Sequence, residues 1–114
     1  MSYRLAFASS DGQIVDEHFG RAEDFHIYEI NGDKVTYVET RINNANKGEE
    51  CGHDKINKNI ELISDCKAIF VANVGRCGVE RLKIKEIEGF IMPYKISEIL
   101  EKVLEKKYKF FNFE

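Results

Sequence analysis

Residues 9–22, with the sequence SSDGQIVDEHFGRA, separate the first apolar run of the chain from the second. One imidazole, one guanidinium, three carboxylates and two glycines fall within these fourteen residues. Segments that connect strands carry binding and catalytic groups more often than the strands themselves do. The segment is therefore either one edge of a binding surface or an elaborate turn whose polar groups stabilise the loop itself.

The runs on either side of this segment predict five strands and three helices. Short apolar, aromatic or β-branched runs predict strands at residues 3–8, 25–30, 34–40, 67–72 and 90–92. Apolar residues at helical spacing predict helices after Asp54, from the Gly75–Gly78 turn to Lys85, and over residues 96–104. In the second of these helices, Val79 and Leu82 are expected to face inward.

The order of these elements predicts an α/β fold. Asn31-Gly32-Asp33 is a strong hairpin signal between the second and third strands. The later strands are linked by helices, which is typical of parallel pairing. We therefore expect a single domain over residues 1–114 with a mostly parallel sheet, at least one antiparallel pair and helices on its faces. Its aromatic tail, residues 105–114, is expected to dock on the body, add a strand or contact a partner.

The composition excludes several classes of protein. Of the 114 residues, 43% are hydrophobic and 32% are charged, and the net charge is −3 with the lysines spread along the chain. This pattern lacks the basic patch of a nucleic-acid binder. No apolar run approaches the roughly 20 residues of a membrane-spanning helix, and the N-terminus does not resemble a signal peptide. We expect a cytoplasmic protein without a nucleic-acid or membrane partner.

The three cysteines predict free thiols. An odd number of cysteines in a chain without a signal peptide argues against a disulfide scaffold, and the chain contains no C-x-x-C pair. Cys66 ends the first helix beside a buried strand, so we expect it in the core. Cys51 and Cys77 lie in or near loops and are the candidate ligands.

Ligands of open α/β sheets bind beyond the carboxyl ends of the strands. Three segments leave such ends: residues 9–21, the loop that contains Cys51 and His53, and residues 73–78. Whether the second segment reaches the same edge as the others depends on the direction of strand three.

The segment after strand four offers the clearest mechanism. Gly75 and Gly78 open a helix whose free amides attract anions, and Arg76 adds a full positive charge. Cys77 lies in the first turn, where the same field favours the thiolate, a soft ligand for iron. The alternative is a tight turn with a small, half-buried cysteine.

The other candidate ligands are His18 and the pair Cys51 and His53. Cys51 and His53 are two residues apart, and two groups suit an incomplete or shared metal shell. The alternative is an exposed cysteine and a histidine near a helix N-terminus. His18 is either a ligand or a surface histidine on a turn, with Phe19 anchoring the loop in the core. His26 lies inside a strand, where a packed or hydrogen-bonded role is expected.

Catalytic interpretations find little support. The chain contains no Ser/His/Asp order, no Walker loop and no G-x-G-x-x-G motif. Asp11, Asp16 and Glu17 suggest a Mg²⁺-dependent hydrolase. Such an enzyme needs carboxylates on the strands themselves, and residues 3–8 and 68–72 contain none. We therefore expect a protein that is not an enzyme.

The motifs of the chain resemble those of the dinitrogenase iron–molybdenum cofactor biosynthesis family. The resemblance rests on residues 8–12, on the His18-Phe19-Gly20 element and on the following strand with its Ile27-Tyr28-Glu29 pattern. It continues through Cys51, the Asp65-Cys66 pair, strand four and the Gly75 turn, and it covers nearly the whole chain up to Leu104.

This resemblance implies a three-layer α/β/α fold of the ribonuclease H-like type with a mixed five-stranded sheet. It also implies a non-catalytic role, namely binding or carrying an iron–sulfur or iron–molybdenum cofactor precursor between donor and acceptor proteins. The expected cofactor-binding residues are His18, Gly75, Arg76 and Gly78, and the expected metal ligands are His18, Cys51, His53 and Cys77. Few ligands per chain favour a cluster shared within a homodimer. The alternative is an interaction or regulatory module of the same fold without a cluster.

Overall fold

In the part of the chain that the structure describes, eight elements follow one another in the predicted order. They are β1 (Ser2–Ala8), β2 (Asp24–Asn31), β3 (Lys34–Ile42), α1 (His53–Leu62), β4 (Ala68–Val71), α2 (Arg76–Ile84), β5 (Glu88–Ile91) and α3 (Ile96–Leu104). The structure, a computed structural model, describes residues 2–19, 22, 24–32, 34–42 and 53–104, with residues 53–57 and 77 described by their backbone alone. The predicted tail, residues 105–114, lies outside the described residues.

The five strands form one mixed sheet in the order β3-β2-β1-β4-β5. β2 runs antiparallel to both β1 and β3, while β4 runs parallel to β1 and β5 parallel to β4. Two reversals bring β3 back to the direction of β1. The C-terminal ends of β1, β3, β4 and β5 therefore all lie at one edge of the sheet, which we call the carboxyl edge.

Helices cover both faces of the sheet. On one face, Ile60 and Ile63 of the α1 region and Leu82 of α2 pack with buried residues of β1, β2 and β4. On the other face, α3 packs with a second cluster that includes Phe7 and Phe70, whose rings stack with centroids 4.9 Å apart. The predicted three-layer α/β/α architecture with a mixed five-stranded sheet is confirmed, and the strand order is compatible with the ribonuclease H-like motif.

Some details differ from the sequence-based predictions. β5 begins at Glu88 rather than Phe90, because the Glu88 amide hydrogen-bonds to the Lys67 carbonyl and continues the ladder with β4. Val79 was expected to face inward but is 37% exposed. The buried face of α2 runs through Gly78 and Leu82, four residues apart, so the next position turns toward solvent.

An ion cluster ties the edge strand β3 to the end of α1. The Arg41 guanidinium donates to both carboxylate oxygens of Asp65, at 2.6 and 3.0 Å, and to the Leu62 carbonyl at 2.6 Å. Arg4 of β1 donates to the same carboxylate at 2.7 Å. The hydrogen bonds from Arg41 hold the pKa of Asp65 below its usual range. The Asp65 carboxylate thus joins β1 and β3 to the turn that follows α1.

Cys66 lies beside this cluster and is a core residue, as predicted. Only 5% of its surface is exposed. Burial, reinforced by the neighbouring Asp65 carboxylate, raises the pKa of its thiol to about 12. The group therefore stays protonated at neutral pH and is a poor metal ligand.

We expect the Asp65 cluster to make stability sensitive to acid. Because the folded-state pKa is depressed, its stabilisation is present above the unfolded-state pKa of about 3.9 and is lost as pH falls further. The Asp65 side chain is 42% exposed, so solvent screening limits the contribution to about 1 kcal/mol. Asp65→Asn should lower the unfolding free energy at pH 7 by about that amount and flatten its fall below pH 4. Urea unfolding at several pH values measures both effects.

The matched control for this prediction is Glu61→Gln. Glu61 is also an exposed carboxylate of α1, and no hydrogen bond of its side chain occurs within the described part of the chain. Equal pH dependence of stability in the Asp65→Asn and Glu61→Gln proteins contradicts the assignment.

Candidate functional site

The loop after β1 uses two of its carboxylates to build its own turns. Asp11 Oδ1 accepts hydrogen bonds from the amides of Gln13 and Ile14, at 2.9 and 3.1 Å, and from Ser9 Oγ at 3.0 Å. These bonds, with that from Gln13 foremost, lower the pKa of Asp11. Asp16 accepts from the amide and hydroxyl of Ser10 at 2.9 and 2.7 Å. Two of the three carboxylates considered for Mg²⁺ thus hold the loop in shape.

The same loop is bound to both neighbouring connections at the carboxyl edge. On one side, the Val15 amide donates to the Tyr94 carbonyl at 3.0 Å, and the Ile96 amide donates to the Gln13 carbonyl at 2.8 Å. On the other side, residues 17–19 lie along residues 72–73, which follow β4. The loop therefore bridges the segment before α3 and the segment before α2.

His18 lies beside the connection that leads into α2. It forms an isolated parallel bridge with Asn73, and the following amide, Phe19 N, donates to the Asn73 carbonyl at 2.9 Å. The His18 side chain is exposed, whereas Phe19 is fully buried. The predicted anchoring role of Phe19 is confirmed. The buried ring holds His18 at the surface, where its bridge partner Asn73 lies two residues before Gly75, the N-cap of α2.

The N-terminus of α2 is open to a ligand. Gly75 occupies the N-cap position in an extended conformation, and none of the described side chains caps the helix by a hydrogen bond. Apart from its neighbours in the chain and the backbone of the helix, no described residue would lie within 4 Å of a Cβ placed on Gly75. Arg76 is the first residue of the helix and is exposed. Two predicted binding residues, Gly75 and Arg76, therefore share an accessible surface next to the His18 segment.

Gly78 has a packing role that the sequence did not predict. A Cβ at this position would lie 2.7 Å from Val74 Cγ2 and 3.1 Å from Phe19 Cδ2. The missing side chain allows the Phe19 ring to pack against the first turn of α2. Gly78 thus determines how closely the His18 segment approaches the helix, while a direct part in binding stays a prediction.

We expect alanine substitutions at the two glycines to differ sharply. Gly78→Ala overpacks the contact with Val74 and Phe19, which costs about 1–3 kcal/mol and outweighs a helix-propensity gain of at most about 1 kcal/mol. Gly75→Ala should cost only about 0.5 kcal/mol, because the position is open and only the N-cap preference for glycine over alanine is lost. Thermal and urea unfolding measure the difference. Adding Val74→Ala to Gly78→Ala should recover part of the loss, and equal stability of the two single variants contradicts the packing assignment.

Asn59 of α1 holds the His18 loop in place, and the sequence analysis did not predict this contact. Its side-chain amide is fully buried and donates to the carbonyls of Phe19 and Ala22, at 2.9 and 3.2 Å. The signal was present, because Asn59 stands three residues after Ile56 on the apolar face of the helix. A polar residue at such a position is usually buried with hydrogen-bond partners. Here the partners belong to the His18 loop.

His26 is a hydrogen-bonded sheet residue, as predicted. Its Nε2 lies 3.0 Å from the Ser9 carbonyl and its Nδ1 lies 3.0 Å from Thr40 Oγ1. On the neighbouring pair of this ladder, Tyr28 and Tyr37 are cross-strand partners.

The remaining predicted ligands are described less completely. His53 is the first residue of α1, and Cys77 is in the first turn of α2, both described by their backbone alone. Cys51 lies outside the described residues. Because β3 runs parallel to β1, the loop that contains Cys51 leaves the same carboxyl edge as the other two candidate segments. Among the described side chains, no group of three or more His, Cys, Asp or Glu residues is arranged to hold a metal ion.

Within the described ranges, no helix is long and apolar enough to cross a membrane.

Known proteins share this sequence pattern. The model of a family described as dinitrogenase iron-molybdenum cofactor matches residues 1–106. The chain is 30% identical over 95 residues to Protein NifX of Azotobacter vinelandii, a match that covers 83% of this chain and 57% of that protein. It is 31% identical over 104 residues to FeMo cofactor biosynthesis protein NifB of Frankia alni, which covers 88% of this chain and 20% of that protein. The chain thus spans less than two thirds of each of these relatives.

Solved structures share the fold. A protein designated PH0822 superposes with a TM-score of 0.73 at 25% identity, and the match covers 96% of this chain and 95% of that one. The apo form of the orange protein from Desulfovibrio gigas gives a TM-score of 0.70 at 14% identity, covering 96% and 93%. The second likeness concerns the fold alone. Because the family model spans nearly the whole sequence, this chain belongs to the dinitrogenase iron–molybdenum cofactor family.

Proposed function

We propose that this protein binds an anionic iron–sulfur or iron–molybdenum cofactor precursor as cargo, at the surface formed by His18 and the N-terminus of α2. Its role is that of a non-catalytic accessory protein in cofactor assembly. Family membership supports the coarser statement, a role in assembly of this cofactor.

One observation carries the proposal: the backbone of His18, whose side chain is exposed, bridges to Asn73, two residues before Gly75, the N-cap of a helix without a side-chain cap among the described residues. Free amides and the helix dipole at that end favour a negatively charged ligand. Arg76 adds a formal positive charge at the first helical position. An imidazole nitrogen is a good ligand for iron. The donor set therefore fits a cargo that is both anionic and rich in iron.

The open position of Gly75 supports the same assignment. Gly75 has no Cβ, and beyond its chain neighbours and the backbone of the helix no described residue lies within 4 Å of where one would stand. The backbone at the N-cap is therefore accessible to a bulky ligand. Cys77 lies in the same helical turn, and Cys51 and His53 belong to a connection that leaves the same edge. These three residues are the proposed additional ligands, supplied by this chain or by a second copy in a homodimer.

The non-catalytic role is supported by the way the loop carboxylates are used. Asp11 and Asp16 accept hydrogen bonds within the loop, so their oxygens serve the loop rather than a reaction. A carrier needs partners that supply and receive its cargo, and we propose donor and acceptor proteins of cofactor assembly in the cytoplasm.

Anaerobic loading tests the proposal. Purified protein is incubated with ferrous iron and sulfide, desalted, and analysed for iron, sulfide and visible absorption. We expect His18→Ala to weaken retention about tenfold or more, equivalent to about 1.4 kcal/mol of lost binding. Arg76→Ala should weaken it about two- to fivefold, because a charge at a helix end contributes about 0.3–1 kcal/mol.

The matched control is Lys83→Ala. Lys83 is an exposed cation in the last turn of the same helix. Its removal changes the net charge as much as Arg76→Ala does, but at the C-terminal end of α2, away from the proposed site. A wild-type protein that retains no iron and stays colourless contradicts the proposed cargo binding and favours an interaction module without a cluster. Equal losses for Arg76→Ala and Lys83→Ala mean that binding responds to net charge and that the α2 site is wrong.

A further inference from the structure

His26 contacts the start of the His18 loop at two points. Its Nε2 lies 3.0 Å from the Ser9 carbonyl, and its Cε1 lies 3.2 Å from where a Cβ on Gly12 would stand. Gly12 has a φ of +78°, a backbone conformation that L side chains rarely adopt. The Gly12 turn thus lies directly against the imidazole ring.

We propose that His26 is a positioning residue, which holds the His18 loop in place as its Nε2–H tautomer. The tautomer follows from the partners of the ring. A carbonyl oxygen can only accept, so Nε2 must carry the proton that is donated to Ser9. In the neutral ring Nδ1 is then an acceptor, and the Thr40 hydroxyl donates to it.

A second hydroxyl, that of Tyr37, completes this chain of hydrogen bonds. The Thr40 oxygen, whose proton points to His26, accepts from the Tyr37 hydroxyl. Every bond in the series then has one direction, from Tyr37 through Thr40 to His26 and on to Ser9. Thr40 and Tyr37 on the edge strand thereby select which nitrogen of His26 faces the loop.

An irregularity in β3 makes the series possible. Residues three apart in a regular strand point to opposite faces of the sheet. Here the register shifts between Ile27 and Tyr28, so that His26 pairs with Thr40 while Tyr28 pairs with Tyr37. Val38 is the extra residue of the bulge, and it brings Tyr37 and Thr40 to the same face as His26.

Ser9 transmits this restraint to the rest of the loop. It is fully buried, its amide donates to the Asp24 carbonyl, and its hydroxyl accepts from the Gly12 amide at 2.9 Å. The Asp11 carboxylate then holds the next turn, which leads to the segment that carries His18. Loss of the Nε2 contact should loosen the loop without touching a candidate ligand.

The tautomer of His26 and the order of the loop are properties of the protein without cargo. Only the effect of His26 on cargo binding rests on the proposed function. The first test is ¹⁵N NMR of the imidazole rings in the wild-type protein at pH 8, above the ordinary imidazole pKa of about 6.5. We expect His26 to show a protonated Nε2 and an unprotonated Nδ1. The opposite tautomer overturns the proposal without any variant.

The second test compares His26→Asn with His26→Gln by amide hydrogen exchange. The Gln amide nitrogen is as many bonds from the backbone as Nε2 and can still donate to Ser9, whereas Asn reaches only the Nδ1 position. We expect His26→Asn to speed exchange at the Gly12 and Ile14 amides about tenfold, the change for a lost hydrogen bond of about 1.4 kcal/mol. His26→Gln should stay within about threefold of the wild type.

Exchange at core amides of β4 provides the internal control, since a purely global loss of stability speeds loop and core exchange together. Equal loop exchange in the Asn and Gln variants overturns the positioning role. Iron retention by the same variants separates the two proposals. If the wild-type protein binds no iron but the NMR spectrum shows the expected tautomer, only the proposed function fails. If the wild-type protein binds iron and the His26→Asn variant binds it equally tightly, His26 does not position the site.

Discussion

Replacing Phe19 by alanine is expected to lower the unfolding free energy by about 3–5 kcal/mol, the usual cost of truncating a buried aromatic ring. Phe19 is fully buried, packs edge-on against Phe25 and fills the space that Gly78 leaves open. Because domains of this size are stable by only about 5–15 kcal/mol, the loss is a large fraction of the total. Urea unfolding measures it.

The control for this substitution is Phe19→Leu. Leucine keeps most of the apolar volume, so the loss should fall to about 1 kcal/mol. The alanine variant should also weaken iron retention, since His18 adjoins Phe19 in the chain. A stability loss below about 1 kcal/mol for Phe19→Ala contradicts the packing of this loop against α2.

Replacing Asn59 by aspartate is expected to be the second large effect, with a loss of about 3–5 kcal/mol at pH 7. The substitution keeps the shape of the side chain but turns its donor toward the carbonyls of Phe19 and Ala22 into an acceptor. The buried carboxylate then faces two carbonyl oxygens, where two hydrogen bonds stood in the wild-type protein. Urea unfolding of the wild-type and variant proteins gives the difference.

The pH dependence of the Asn59→Asp variant provides a sharper check. Burial should raise the folded-state pKa of the new carboxyl, so the variant is penalised increasingly as pH rises above about 3.9. Its deficit relative to the wild type should therefore shrink as pH falls from 7 to 5. Asn59→Ala removes the same hydrogen bonds without a charge and should lose about 2–3 kcal/mol at both pH values. A deficit for Asn59→Asp that matches the alanine variant at both pH values contradicts the assignment.

Much of the fold could be predicted because its signals are local. β2 and β3 pair antiparallel as the Asn31-Gly32-Asp33 signal predicts. The apolar run of β4 is buried throughout, in keeping with a strand covered on both faces. The observed strand boundaries differ from the predicted ones where a neighbouring strand supplies the hydrogen bonds. The ladder with β4 carried β5 back to Glu88, a position whose own residue types give no strand signal.

The candidate site was predicted only in part. His18, Gly75 and Arg76 were identified, and the structure brings their segments together. The contacts that fix them in place were not identified. Asn59 reaches Phe19 across 40 positions of sequence, and the packing role of Gly78 appears only when the loop lies on α2. Contacts at such separation leave no periodic pattern in the sequence.

The sequence by itself determined the identity and order of the elements, because residue periodicity and turn chemistry act over a few neighbouring positions. It also determined which residue types are available to bind an anionic, iron-rich cargo. Only the tertiary structure decided where those residues meet. β2 reverses the chain and β3 reverses it again, so the connection that contains Cys51 leaves the same edge as the other two. The bridge between residues 18 and 73 then brings together two loops that are distant in sequence. Backbone hydrogen bonding forms this bridge, and it is nearly independent of residue type.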